Sequence, residues 1–279
     1  SRDTRERHIR RELTGGKTYD IRVELFSHWR ACGVWFGWGP VRPLITDEEA
    51  KEISNADAAV VCVGFNRTLE TEGYDRTYAL PNDQELLLQN IASLNPRTIV
   101  VVNAGGNVKM APWIDHVGGL LQAWYPGEEG GTAIADILFG KVCPSGRLPA
   151  TFEKRWEDNP TFKSYYPSGP QPPACLTGDS CRGKGTAQIH YTEGVFLGYR
   201  YYSTPSADTA GAQPRFPFGF GLSYTTFSFS DLHLSRTTAH PDDPISATLT
   251  VRNTGKVAVA AVAHVYVGEQ KPLIPRPRY

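Results

Sequence analysis

The chain has 279 residues, of which 40% are hydrophobic and 21% charged, the composition of an ordinary globular protein with a core of its own. Its 29 basic and 29 acidic side chains balance, so no charge excess indicates a nucleic acid or an anionic membrane surface as a partner. No apolar run approaches the roughly 18 residues that a membrane-spanning helix needs.

The first 40 residues predict the end of an all-β unit. Residues 17–26 alternate, with Tyr19, Ile21 and Val23 on one side, which is typical of a half-buried strand. A second strand is predicted over 34–38. The charged start lacks both an initiator Met and an apolar stretch, so it is no signal peptide. We expect the true start of the protein and the earlier strands to be missing from this chain.

The middle of the chain alternates between apolar runs and helical patterns. A continuous apolar run over 58–64 predicts a strand buried on both faces, and Cys62 within it is expected to be buried. Further strands are predicted over 98–103 and 119–124, and helices over 47–55, 81–93 and 130–139, the last ending at Gly140. A short helix is predicted to begin at Trp113 and Ile114. This order predicts βαβ units, a mostly parallel sheet between helices, and loops gathered at one edge.

The last part of the chain changes pattern. Residues 155–215 are irregular, and from 216 onward alternating patterns predict strands near 227–232, 247–251 and 263–267. These strands indicate the start of an immunoglobulin- or fibronectin-like β-sandwich, which needs about seven strands. The 6 Trp, 13 Tyr and 12 Phe suit stacking on sugar rings as well as a β-rich core.

Five cysteines carry little functional signal, because no pair has CxxC spacing and no His/Cys/Asp cluster suggests a metal site. Cys175 and Cys181 flank a polar loop and could close a small disulfide, which would point to an oxidising compartment. On this basis a secreted or periplasmic location is favoured. Asn66-Arg67-Thr68 is a glycosylation sequon, and a glycan there would crowd the neighbouring loop.

The loop 65–80 follows the first buried strand, and ligands of open α/β sheets bind outside such carboxyl ends. It contains Glu70, Glu72 and Asp75 beside Arg76. Like-charged neighbours raise a carboxyl pKa and a neighbouring arginine lowers it, so these groups could divide the roles of a general acid and a structural ion pair. From the spacing alone, a solvated acidic loop is the favoured interpretation.

The segment EGYDR (72–76), followed by Leu80-Pro81 and Gln84, resembles the acid/base loop of glycoside hydrolase family 3. The resemblance continues, in the same order, through WYPGEEGG (124–131), PSGRLP (144–149), EGVFLGYRY (193–201) and FPFGFGLSYT (216–225). It implies a retaining β-glucosidase-type hydrolase, needing no cofactor, that acts on a β-glucoside or oligosaccharide.

By this resemblance Glu72 is the general acid/base. Glu70 has no role in the family pattern, so it either modulates Glu72 or is merely exposed, while Asp75 and Arg76 are expected to pair and support the site. The family's nucleophile is an Asp on an N-terminal (β/α) barrel. No matching segment occurs here, and a barrel of about 250 residues would not fit. We therefore expect the isolated chain to be inactive without that barrel.

The resemblance also divides the chain into three expected parts. Residues 1–39 would end an inserted PA14-like domain, 40–215 would form the α/β domain with the acid/base loop, and 216–279 would begin a fibronectin type III-like domain. Three alternatives stay open: a non-catalytic scaffold or carbohydrate-binding fragment, a β-xylosidase, and a nucleotide-binding α/β protein that lacks the fingerprint loops.

Overall fold

The computed structural model describes residues 11–23, 37, 43–72, 76–81, 83–165, 190–204, 211–240 and 242–268. Contacts divide the chain into two compact units, Ser1–Trp124 with Tyr165–His190, and Tyr125–Ser164 with Tyr191–Tyr279. The helices are α1 (Asp47–Asn55), α2 (Gln84–Leu94), α3 (Gly130–Leu138) and α4 (Tyr199–Tyr202), with 3-10 turns at Ile114–His116 and Trp156–Asp158. The strands are β1 (Ala59–Gly64), β2 (Thr98–Asn103), β3 (Gly119–Gln122), β4 (Phe227–Leu234) and β5 (Ala247–Asn253).

The first unit is built on a parallel sheet of order β1-β2-β3. Ala59 pairs with Thr98 and Gly64 with Asn103, while Ile99 pairs with Gly119, so the three strands run in step. The central strand β2 forms the core, and Val100, Val101 and Val102 are fully buried. The predicted parallel sheet with helices is confirmed, and the carboxyl ends of its strands lie at one edge.

Strand β1 differs from the prediction of burial on both faces. Val61 and Val63 are buried, whereas Val60 and Cys62 are exposed. Among the described residues β1 pairs with β2 and contacts α2, and the face that carries Val60 and Cys62 is left uncovered. A continuous apolar run therefore does not show how many faces of a strand are covered.

The helices of both units follow their sequence signals closely. Helix α1 begins with a capping box in which Thr46 accepts from the Glu49 N–H and Glu49 accepts from the Thr46 N–H. Helix α2 begins at Gln84 rather than at Pro81: the Gln84 N–H donates to the Pro81 carbonyl at 3.4 Å, and the Gln84 side chain bonds Gly64. Helix α3 ends before Gly140, whose φ of +73° is the left-handed conformation that stops helices.

Two predicted strands are not formed in the part of the chain that the structure describes. Residues 17–23 have no regular structure and expose Tyr19, Ile21 and Val23; the rest of that segment and almost all of 34–38 lie outside the described residues. Residues 263–267 likewise form no strand, and Val265 and Val267 are exposed. A strand needs a neighbour to complete its hydrogen bonds, and neither segment has one among the residues described.

The second unit brings together two of the sequence blocks that carry the resemblance, residues 144–149 and 216–225. Phe152 bridges to Phe216, and the Leu148 N–H donates to the Phe220 carbonyl at 2.8 Å. Strands β4 and β5 then pair antiparallel, with a bulge between Ser230 and His233 where Asp231 has a φ of +55°. In the described part of the chain this sheet has two strands.

No helix in the described ranges is both long and apolar enough to cross a membrane. Of the five cysteines, Cys62 and Cys143 are free thiols. The predicted Cys175–Cys181 disulfide lies outside the described residues and stays a prediction.

Candidate acid/base loop

The candidate loop leaves β1 at a glycine that no other residue could replace without strain. Gly64 has a φ of +152°, and a Cβ there would collide with the carbonyl of Asn103 on β2. The Gln84 side chain accepts from the Gly64 N–H at 2.8 Å and donates to its carbonyl at 3.1 Å. Since Phe65 N–H also donates to the Asn103 carbonyl at 3.0 Å, the start of the loop is fixed on both sides.

The first half of the loop is a compact turn around Asn66. Its side-chain oxygen accepts from the Thr68 N–H at 3.0 Å and from the Thr68 hydroxyl at 2.7 Å, and its carbonyl accepts from the N–H groups of Leu69 and Glu70. The predicted sequon is therefore folded into an exposed Asx turn. This turn delivers Glu70 to the carboxyl edge of the sheet.

Glu70 and Arg76 form an ion pair within the loop. Arg76 Nε donates to Glu70 Oε1 at 2.9 Å, and both side chains are half-buried, at 16% and 20% exposure for Arg76 and Glu70. The guanidinium also donates to the carbonyls of Thr77 at 3.0 Å and Asn107 at 2.7 Å, and it lies 4.7 Å above the Phe65 ring. Through these contacts, Arg76 links four other residues of the site.

The loop after β2 completes the site, and sequence reasoning missed it. The Gly105 N–H donates to Glu70 Oε2 at 3.2 Å, and the Asn107 side chain donates to the Tyr78 hydroxyl at 3.1 Å. The Lys109 N–H donates to the Tyr78 carbonyl at 2.9 Å. The signal available was the run Ala-Gly-Gly-Asn directly after a buried strand, which marks a second loop at the same sheet edge.

Glu72 lies between the paired residues and is exposed. Within the described part of the chain it has no hydrogen-bond partner, whereas Glu70 is held by two donors. Residues 73–75 lie outside the described residues, so the expected Asp75–Arg76 pair stays a prediction. Of the two alternatives for Glu70, mere exposure is wrong, because its carboxylate is half-buried and ion-paired.

A shallow cavity of about 250 Å³ adjoins the loop at the end of β1. Its polar lining includes Asn66, Gln84 and Asn103, each already bonded to neighbouring backbone or side-chain groups. Among the residues that the structure describes, no group of three or more His, Cys, Asp or Glu side chains could hold a metal ion.

Residues 8–199 match the model of the glycosyl hydrolase family 3 C-terminal domain. The chain is 41% identical over 287 residues to probable beta-glucosidase I of Aspergillus oryzae, covering 96% of this chain and 32% of that protein. It is 36% identical over 234 residues to thermostable beta-glucosidase B of Acetivibrio thermocellus, covering 84% of this chain and 28% of that protein. The chain thus spans about a third of the length of these curated relatives.

Solved structures agree with the sequence matches. The GH3 beta-glucosidase of Bifidobacterium adolescentis superposes with a TM-score of 0.68 at 34% identity, covering 83% of this chain and 31% of that one. The beta-glucosidase of Kluyveromyces marxianus in complex with glucose gives a TM-score of 0.61 at 34% identity, covering 77% of this chain and 23% of that one.

Proposed function

Because the chain belongs to glycosyl hydrolase family 3, as its C-terminal domain region, we propose that it supplies the general acid/base of a retaining β-glucosidase. The reaction would release terminal non-reducing β-D-glucosyl residues from a β-glucoside or oligosaccharide. The beta-glucosidase names of the relatives in Aspergillus oryzae and Acetivibrio thermocellus support this activity and substrate class.

The observation that carries the proposal is the contrast between the two glutamates of the loop. Glu70 is occupied as an acceptor by Arg76 and the Gly105 N–H, so both of its oxygens are already engaged within the protein. Glu72 is exposed, and a carboxyl that must meet first a leaving oxygen and then a water needs that access. Glu72 would protonate the leaving oxygen and then deprotonate the attacking water. Asp75 and Arg76, with Glu70, would support it.

A retaining mechanism needs a second carboxylate as nucleophile. We place this group on an N-terminal (β/α) barrel, because no matching segment occurs in these residues and the relatives are about three times as long. Without that barrel, the acid/base lacks the nucleophile that the reaction also needs. Under this proposal the chain carries one half of a shared active site.

The first test compares hydrolysis of p-nitrophenyl β-glucoside by the chain alone and by a chimera. In the chimera, the 279 residues replace the matching third of beta-glucosidase I of Aspergillus oryzae. We expect activity from the chimera alone. Activity of the isolated chain would mean that a nucleophile lies within these residues, and a folded chimera that binds glucose without hydrolysing substrate would favour a carbohydrate-binding fragment.

The second test is Glu72→Gln in the chimera. We expect kcat/KM for an alkyl β-glucoside to fall by about 10²- to 10⁴-fold, the usual contribution of a general acid. Dinitrophenyl β-glucoside needs no proton on its leaving group, so its kcat/KM should change little, and azide should restore its turnover. Glu48→Gln, an exposed glutamate on α1, is the matched control. Unchanged alkyl-glucoside hydrolysis would remove Glu72 from the mechanism.

A further inference from the structure

Glu70 and Arg76 bracket the proposed acid/base. Glu70 lies two residues before Glu72 and Arg76 four residues after it, and the 2.9 Å ion pair joins the two ends of this short stretch. The pair thereby ties together the chain on the two sides of Glu72. Closing a short segment at its base removes many of the conformations that its tip could otherwise adopt.

The pair is also anchored on the loop after β2. Glu70 Oε2 accepts from the Gly105 N–H, and Arg76 Nη2 donates to the Asn107 carbonyl at 2.7 Å. Both anchor points follow closely on β2, the central strand, whose residues 100–102 are fully buried. The position of Glu72 is therefore tied to the loop after the central strand as well as to its own loop.

This ion pair differs from an ordinary surface salt bridge, which contributes little because water screens it. Its two side chains are mostly buried, the guanidinium covers the buried Phe65 ring at 4.7 Å, and each charged group bonds a backbone atom of the second loop. Losing Glu70 would leave the Gly105 N–H and one edge of the guanidinium without their acceptor. The loop would then have to move to satisfy them.

We propose that Glu70 is a positioning residue, which with Arg76 forms a latch that sets where Glu72 meets the leaving oxygen. The inference rests on the proposed role of Glu72 and adds a function for a glutamate that the family pattern leaves without one. A latch of this kind affects proton delivery selectively. It leaves untouched those substrates whose leaving group departs without a proton.

The test measures kcat/KM in the chimera for methyl β-glucoside, which needs protonation, and for dinitrophenyl β-glucoside, which does not. Glu70→Ala should lower the first value by roughly 10- to 100-fold, since misplacing a reacting group by about 1 Å can cost on the order of 10²-fold. The second value should change by less than about threefold. Glu70→Gln keeps an acceptor oxygen and should recover part of the loss.

Glu49→Gln is the matched control, because Glu49 also accepts a backbone and a side-chain bond but lies on α1, away from the loop. It should leave both values unchanged. If Glu70→Ala does not fold, Gly106→Ala replaces it. The added Cβ would lie 3.2 Å from Arg76 Nη2 and push the guanidinium without deleting a charge, so the same selective loss is expected.

Two results would overturn the latch. The first is an equal loss on both substrates, which would mark a merely structural role. The second is an unchanged methyl-glucoside value in Glu70→Ala while Glu72→Gln loses activity, which would overturn the latch alone. If Glu72→Gln itself retains alkyl-glucoside activity, the proposed function fails, and the latch falls with it.

Discussion

At the scale of single residues, Gly64 is a position of the candidate site where a substitution would strain the backbone. It joins β1 to the candidate loop with a φ of +152°, and an added Cβ would meet the Asn103 carbonyl, a backbone atom that cannot rotate away. We expect Gly64→Ala to lower the free energy of unfolding by on the order of 3 kcal/mol, from backbone strain and the clash together. Urea denaturation followed by circular dichroism measures this.

Gly131→Ala is the control for that substitution. Gly131 lies in α3 with open space around its Cβ position, so alanine should leave stability unchanged or raise it by up to about 1 kcal/mol. Equal stabilities of the two variants would show that Gly64 is under no strain.

Sequence predicted which loop carries the carboxylates, but not which groups bond. The acidic spacing placed Glu70, Glu72 and Arg76 near each other, because they are close along the chain. It could not show that Glu70 meets the Gly105 N–H, since that contact depends on the pairing of β1 with β2. Contacts between residues distant in sequence, such as Arg76 with Asn107, are set by the sheet and leave no local pattern.

At the scale of elements, α1 depends on its capping box. Thr46 Oγ1 accepts from the Glu49 N–H at 3.3 Å and satisfies one of the helix's free amide donors. Thr46→Ala should lower the free energy of unfolding by about 1 kcal/mol. Ser54→Ala removes a hydroxyl that bonds the Ala50 carbonyl within the same helix and should have a smaller effect. If Thr46→Ala is no less stable than Ser54→Ala, this account of the cap is wrong.

The same capping box predicts a pH dependence. The Thr46 N–H and hydroxyl bonded to Glu49 hold the pKa of that carboxyl below its ordinary value of 4.5. The ionised Glu49 therefore stabilises the folded state above the ordinary pKa, and this contribution is lost as pH falls through the lowered folded pKa. The stability difference between the wild type and Glu49→Gln should shrink over that acid range, as measured by urea titrations at several pH values. A difference independent of pH would exclude the linkage.

The helices and sheet strands of the first unit were predicted within about three residues, whereas two segments with strand-like alternation form no strand among the described residues. The strand over 98–103 was predicted with its observed limits, because its apolar run coincides with the buried central strand of the sheet. The segments 17–23 and 263–267 have the alternation of strands without forming any. Alternation shows that a segment could form a strand, whereas a partner strand decides whether it does.

At the scale of the whole molecule, the two-stranded sheet of the second unit predicts self-association of the isolated chain. Phe229 and Val251 pair across β4 and β5 and are 52% and 42% exposed, and Leu232 in the same strand β4 is 71% exposed. Exposed apolar faces and unpaired strand edges favour association. Sedimentation should show concentration-dependent oligomers.

Replacing the exposed pair tests that prediction. Phe229→Thr with Val251→Thr keeps strand-forming residues while removing apolar area, and it should shift the chain toward monomer. Thr250→Ser, on the neighbouring pair with Ser230, is the control and should change nothing. A wild-type chain that stays monomeric at high concentration would contradict the prediction.

The side chain of Gln84 has a consequence for the dynamics of the site. Gly64 ends an edge strand, where a backbone amide would ordinarily exchange its proton with solvent quickly, yet its N–H and carbonyl are both bonded by one carboxamide from α2. The rate of deuterium uptake at Gly64 should therefore be limited by how often the contact between α2 and β1 opens. Gly64, where the candidate loop begins, then opens together with the sheet. Only the residues after Gly64 exchange their amide protons at rates typical of a loop.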